Sequence, residues 1–514
     1  MPDYSIARLI RKLPEGWGPS HGLAHEFVQC WREAFHANAQ IKESDEGSLY
    51  FTTELPDIRL HGTDDMHCLL LARSDDIASE VLKTFKRKAV APGRLLVVFP
   101  FREEAALLTQ EALGSVRHLL VPPLAAREIL LSDQPQEKLK KLLREQLPIR
   151  SLIPYNYLRP AMGSLFFGRQ AELDRLLQED DVSFSIAGPG RIGKTSILKQ
   201  YRRALIRTRD PRAARSVEID FYPCGDTSTT GVARFLAMKI ESSSRSYRMT
   251  ADGLADFLRF QRAEHGGPLE LLLDEVDAVC RGLAFDIIGD AAKQGLCRLI
   301  LCGRGELLDM MLSPDSPLAC RLELLRPGPL ESEPARELLL RPLSDLGLTL
   351  EQPEHLVERV FELSGCLPHL LQFYGKKLAE LTAESASSVV VAAMIETLGW
   401  DFDSAQYITS PLSQLEDEER LLALALLKER PGELTISSVR ALATAYGLVF
   451  SHARTLEILN RLVISNILSW RRGSFSIANG ALPSYAEQLG YLDFGIADAK
   501  AGLRATGPRL AQKR

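Results

Sequence analysis

The stretch Phe184-Ser-Ile-Ala-Gly188-Pro189-Gly190-Arg191-Ile192-Gly193-Lys194-Thr195-Ser196 decides the fold of the middle of this chain. Its apolar opening predicts a buried strand, the glycine-bounded segment a loop, and Ile197-Leu-Lys-Gln-Tyr the first turns of a helix. Gly188 and Gly193 let backbone N–H groups curl inward around an anion, where a side chain would block the approach. The helix that follows offers its unpaired N–H groups and the positive end of its dipole to the same point. Lys194 is placed to reach β and γ phosphates, and the Thr195 hydroxyl to ligate Mg²⁺. Residues 188–196 are therefore candidate nucleotide-binding residues, with ATP and Mg²⁺ as the expected ligands.

A second run, Pro268-Leu-Glu-Leu-Leu-Leu273, leads into Asp274-Glu275-Val-Asp277 and predicts a buried parallel strand ending in carboxylates. A further strand is expected at residues 216–221, between the loop and this run. The acidic pair resembles a Walker B motif, in which Asp274 holds the Mg²⁺ shell and Glu275 orients or activates the attacking water. Asp277 is expected to be an exposed or helix-capping acid.

With 514 residues the chain is too long for one core and suggests three or four domains. A net charge of −5 excludes a generally basic nucleic-acid coat, so any DNA contact must come from a local patch. The eight cysteines contain no Cys-x-x-Cys pair and read as reduced thiols of a cytoplasmic protein. Nowhere is there an apolar run long enough to span a bilayer, so no membrane partner is expected.

Residues 1–150 read as a separate α/β unit. A helix is expected at 25–38, strands at 49–53, 67–72, 94–100 and 116–121, and further helices at 77–88 and 103–113. His21 and His25 lack the rest of a zinc pattern, and Pro56-Asp57 lacks the acid-x-lysine partner that metal-dependent nuclease chemistry requires. The proline-rich segment 147–160 reads as a linker.

Beyond it, Phe167-Gly168-Arg169 precedes an amphipathic helix, then the loop, then Leu271-Leu-Leu-Asp274-Glu275-Val-Asp277. This series resembles the prokaryotic AAA+/STAND ATPases, related to the archaeal and origin-recognition ATPases. The resemblance spans roughly residues 155–490. It implies an α/β P-loop core at 155–328, with Gly168 and Arg169 on the adenine side of the pocket. It implies a polar sensor at Arg304, after the strand Cys297-Arg-Leu-Ile-Leu-Cys302, and an arginine finger at Arg321 that completes a neighbouring subunit's site. A helical lid follows at 329–410, with helices at 333–343, 353–364, 368–381 and 386–398. Its Gly365-Cys-Leu-Pro368 resembles the glycine–proline lid signature, in which Pro368 packs on the nucleotide.

Residues 411–490 read as a winged helix: helices at 417–429, 437–446 and 451–465, then a hairpin with Arg471-Arg472-Gly473 at its tip. Arg454 and Arg461 would face a DNA groove, making 451–473 the candidate duplex-DNA contact. Residues 491–514 read as a mobile basic tail. The leading expectation is an ATP-hydrolysing switch or assembly ATPase that self-associates or binds a protein partner; by analogy such proteins serve in bacterial defence or regulation. The alternative is a DNA loader, initiator or transposition regulator.

Overall fold

The computed structural model describes residues 21–44, 48–55, 58–61, 66–71, 95–100, 117–241, 248–312, 316, 318, 321–385, 387–391, 393–397, 409–431, 434–471, 474–480 and 482–510. The expected helices at 77–88 and 103–113, the Pro56-Asp57 pair and the hairpin tip residues 472–473 lie outside them.

The first sheet contains β1 (Asn38–Ser44), β2 (Ser48–Glu54), β3 (Met66–Leu71), β4 (Leu96–Phe99) and β5 (His118–Leu120), in that spatial order. β1 to β3 are antiparallel, while β3, β4 and β5 run parallel. Sequence reading missed β1, because its residues Asn38-Ala-Gln-Ile-Lys-Glu-Ser are those of a polar edge strand with Ala39 in the core. The preceding helix accordingly stops at Phe35, in His21–Phe35, and lays Phe27 and Trp31 against Phe99.

The second sheet is wholly parallel, built from β6 (Ser183–Ala187), β7 (Ser216–Asp220), β8 (Leu269–Asp274), β9 (Cys297–Gly303) and β10 (Leu322–Leu325). Its spatial order is β10-β6-β9-β8-β7. β6, β8 and β9 are buried at every position, the pattern of strands covered on both faces. Two apolar clusters cover those faces, one gathering Leu273, Phe285 and Phe257, the other Phe184, Ile197 and Tyr201.

Three long helices follow, Ser332–Asp345, Pro353–Ser364 and Pro368–Glu384. The expected helix at 386–398 is mostly absent: Val389–Val390 pairs in parallel with Thr349–Leu350, and only Ala393–Thr397 is helical. Three consecutive β-branched valines at 389–391 favour the extended chain. The C-terminal helices Asp417–Glu429, Ile436–Ala445 and His452–Ile464 lead into an antiparallel hairpin, Leu468–Arg471 with Ser474–Ile477. In place of a mobile tail, the helix Ile496–Leu510 packs on Asp417–Glu429, with Ile496 and Ala499 buried and Arg420 joined to Asp498 at 3.1 Å. Ile496, Ala499 and Leu503 form a short apolar stripe that the basic residues around it concealed.

A third apolar cluster is continuous through the N-terminal sheet, the lid helices and the C-terminal helices. The segment expected to be a linker is part of it. Tyr155 is buried, its hydroxyl donating to the Leu339 carbonyl, and its ring occupies the space where a Cβ on Gly375 would come within 2.6 Å. Asp345 pins the two units further: it accepts from Lys140 Nζ at 2.6 Å and from the Arg59 amide at 3.2 Å. The described apolar residues thus form one cluster on each face of the parallel sheet and a third that joins the N-terminal sheet to the later helices and takes in Ile192 of the phosphate loop.

Candidate active site

The loop between β6 and the helix Lys194–Thr208 takes the shape its glycines permit. Gly193 sits at the helix N-cap with φ 105°, a conformation that side chains strain to adopt, and a Cβ there would point into open space. Lys194 is buried, and its Nζ donates to the carbonyls of Gly188 at 2.9 Å and Pro189 at 2.8 Å, curling back along the loop. Burial pulls its pKa below the usual lysine value.

β8 and β9 lie side by side, so their C-terminal ends converge on the loop. Asp274 hydrogen-bonds the Thr195 hydroxyl and accepts from the Glu275 amide at 3.0 Å; burial raises its pKa. Glu275 adopts a left-handed conformation (φ 52°), rare for a residue with a side chain and found where a site over-determines the backbone. Its Oε1 lies 3.4 Å from Arg304 Nη2. Asp277 caps the helix Gly305–Leu312, accepting from the amides of Arg304 (2.8 and 2.7 Å) and Leu307 (3.3 Å). The three acids therefore divide the work: one beside Thr195, one toward the open site, one holding the Arg304 backbone.

Lys194, Thr195, Glu275, Asp277 and Arg304 line a cavity of about 650 Å³ bounded by the loop, the start of the helix Pro368–Glu384 and the C-terminal helices, a size suited to a nucleotide; Asp274 is not part of its lining. The α/β core, with the phosphate loop after its first strand and the acidic strand separated from it by the Arg304 strand, decides the class. This is the arrangement of a P-loop nucleotide-binding fold. No family model matches the chain, and no curated protein matches it. Among solved structures it is similar to the Walker-type ATPase of Pyrococcus abyssi, at 18% identity over 64% of this chain and 99% of that one, TM-score 0.48. It is also similar to the Aeropyrum pernix ORC2 protein (15% identity, 65% and 92% covered, TM-score 0.45). A third is the Thermotoga maritima RuvB Holliday junction branch migration motor (15% identity, 65% and 99% covered, TM-score 0.36).

The cavity has walls that the sequence did not announce. Tyr157 and Ala161 come from the strap before the core, which is tied to the P-loop helix by the Ala161 amide donating to Ser196 Oγ (2.9 Å) and the Gly163 amide to Gln200 (3.1 Å). Pro368 opens its helix at the cavity, and beside it His369 is buried near Arg191. Burial, with the Arg191 charge adding, pushes the His369 pKa down to about 3. Arg461 enters from the C-terminal helices, its Nη2 2.6 Å from Asp309 Oδ2 and its Nη1 2.7 Å from Glu419 Oε1.

Other expected residues stand elsewhere. Gly168 (φ 63°) and Arg169 lie behind the loop and do not line the cavity; the buried Arg169 guanidinium donates to the carbonyls of Gly328 and Ile192, joining the loop to the segment between β10 and the helix Ser332–Asp345. Arg321 precedes β10, whose Leu322 is in register with Ser183 at the start of β6, so it sits at the end of the sheet opposite the loop. There it pairs with Asp290 at 2.7 Å. Arg454 pairs with Glu418 (3.0 Å) and Glu457 (2.9 Å), so neither it nor Arg461 presents a bare charge to a groove. Among the described residues no group of side chains could hold a metal by itself, His25 being exposed, and no helix is long and apolar enough to cross a membrane.

Proposed function

We propose that this chain is an AAA+ ATPase that works as an ATP-driven switch. The observation that carries the reading is the division of the apolar core: the nucleotide cavity lies between the parallel sheet, with its two clusters, and the third cluster of N-terminal sheet, lid and C-terminal helices. A ligand bridging the two faces stabilises one relative orientation by its difference in affinity between orientations.

The residues suit Mg-ATP. Backbone N–H groups of residues 188–194 and the Lys194 ammonium fit the phosphates, and Thr195 with Asp274, already in contact, would hold Mg²⁺. When bound, Mg²⁺ neutralises charge developing on the phosphate oxygens. Glu275 accepts a proton from, or orients, the attacking water, and Arg304 stabilises charge on the terminal phosphate once it leaves Glu275. Arg321 acts only across a subunit interface, since it is at the far end of its own sheet; self-association is part of the reading. The C-terminal helices and hairpin serve as a winged helix that reports the nucleotide state. Its use as a duplex-DNA reader through Arg454 and Arg461 has less support, because carboxylates already hold both.

The test measures ATP turnover against protein concentration, with and without duplex DNA, alongside hydrogen exchange in the ATP-bound and ADP-bound states. Protection changes confined to the core–lid boundary and the Arg461 contact support the switch. Identical exchange in both nucleotide states would refute it, and stimulation by DNA would favour the loader.

A further inference from the structure

A second cavity, of about 390 Å³, lies away from the nucleotide site, where the N-terminal sheet meets the far end of the P-loop helix. One wall is the edge of that sheet, with Ala39 and Gln40 of β1 and the Arg32 guanidinium, which the Ala39 carbonyl fixes through Nε at 2.7 Å. The other is the last turn of Lys194–Thr208, with Ile206, Arg207 and the left-handed C-cap Arg209 (φ 55°). Three arginines thus line one groove, and among the described residues no carboxylate does.

Two acids on the flanking elements are engaged. Glu54 holds Arg203 at 3.3 Å, pinning β2 to the P-loop helix, and Asp210 is bound by Arg212 at 2.8 Å. Among the described residues Arg207 and Arg209 have no ion pair. The negative end of the helix dipole favours cations at Arg207 and Arg209. It gives no reason for Arg32, from a different unit, to be held facing them. Guanidinium groups brought together without counter-charge repel, and planar donors of this kind match phosphate oxygens. Ile206, about half exposed, adds an apolar shelf.

We propose that this groove binds a phosphate ester, from a nucleic-acid backbone or a free nucleotide, and that it reads that ligand into the P-loop helix. The groove's position gives the coupling a route: the same helix that begins at Lys194 ends at its wall. The site is independent of the hydrolysis reading.

The test uses the full chain with the P-loop saturated by ADP. Fluorescence anisotropy follows a labelled single strand and a labelled duplex, and calorimetry follows AMP. Wild type should bind at least one probe, and Arg207→Ala/Arg209→Ala should weaken it at least tenfold while leaving basal ATP turnover unchanged. For a strand, the slope of log K against log salt should fall by about 0.7–0.9 per lost contact. Arg32→Gln, on the opposite wall, should weaken the same probe. An oligonucleotide bound identifies the backbone as source, AMP alone a free nucleotide. Binding of no probe, or wild-type affinity in either variant with its circular dichroism intact, overturns the site.

Discussion

Arg304 and Glu275 face each other across the nucleotide cavity, with Nη2 3.4 Å from Oε1. The pairing holds the carboxylate toward Arg304, whose own backbone is fixed by Asp277. A terminal phosphate competes for the same guanidinium, so ligand entry and release of the glutamate are linked. Glu275→Gln should keep ATP bound while turnover falls on the order of a hundredfold or more. Single-turnover hydrolysis at the wild-type rate would assign water activation to another residue.

Lys194→Ala should abolish nucleotide binding. The ammonium is buried against the Gly188 and Pro189 carbonyls, and removing it leaves the loop with no cation for the β and γ phosphates. A titration with fluorescent ATP checks this, and unchanged affinity would sink the assignment of the site.

Arg461→Ala should loosen the C-terminal helices from the core. It leaves Asp309 without this partner and strands Glu419, which is nearly inaccessible. Partial exposure of the arginine lowers the cost to about 2 kcal/mol, against 3–5 for a fully buried pair. Thermal melts of Arg461→Ala, Asp309→Ala and the double variant form a cycle; strict additivity would show that the pair contributes no coupling.

Asp345→Asn should weaken the attachment of the N-terminal sheet to the helices after the core, because Lys140, almost wholly buried, keeps only the half-exposed Glu137 as a carboxylate partner. A destabilisation of about 2 kcal/mol is expected, below the 3–5 for a buried charge left with no partner. Limited proteolysis should then release a fragment near residue 150; wild-type resistance would count against the two units moving as one body.

His369 sets an acid limit on the closed cavity. Its pKa in the folded chain is about 3, below the ordinary 6.5, so the unfolded chain takes up the proton first. Its contribution is complete above about pH 6.5 and is lost progressively as pH falls toward 3, by on the order of a few kcal/mol. His369→Gln should flatten the dependence of Tm on pH between 6.5 and 4. An unchanged profile would place the acid sensitivity elsewhere.

Much of the core could be read locally. Glycines at 188 and 193, the lysine that follows and two carboxylates after an apolar strand each answer a requirement of phosphate chemistry, and periodicity places the strands that carry them. Edge strand β1 and the helix Ile496–Leu510 escaped because a polar edge and a short apolar stripe carry weak signals. The Val389–Val390 strand escaped because its neighbours suggested a helix.

What the sequence determined by itself was therefore the phosphate loop, the acidic strand and the parallel α/β core around them, since those depend on residue type at fixed spacing. Tertiary structure decided the partners of the charged side chains. Arg454 and Arg461 looked like groove-facing cations and are bound by carboxylates from other elements; Arg169 looked like a pocket wall and ties the loop to the segment after β10. The strap at Tyr155 looked like a linker and is core. An ion pair or a buried ring is a relation between segments far apart in the chain, and only packing brings its two halves within reach.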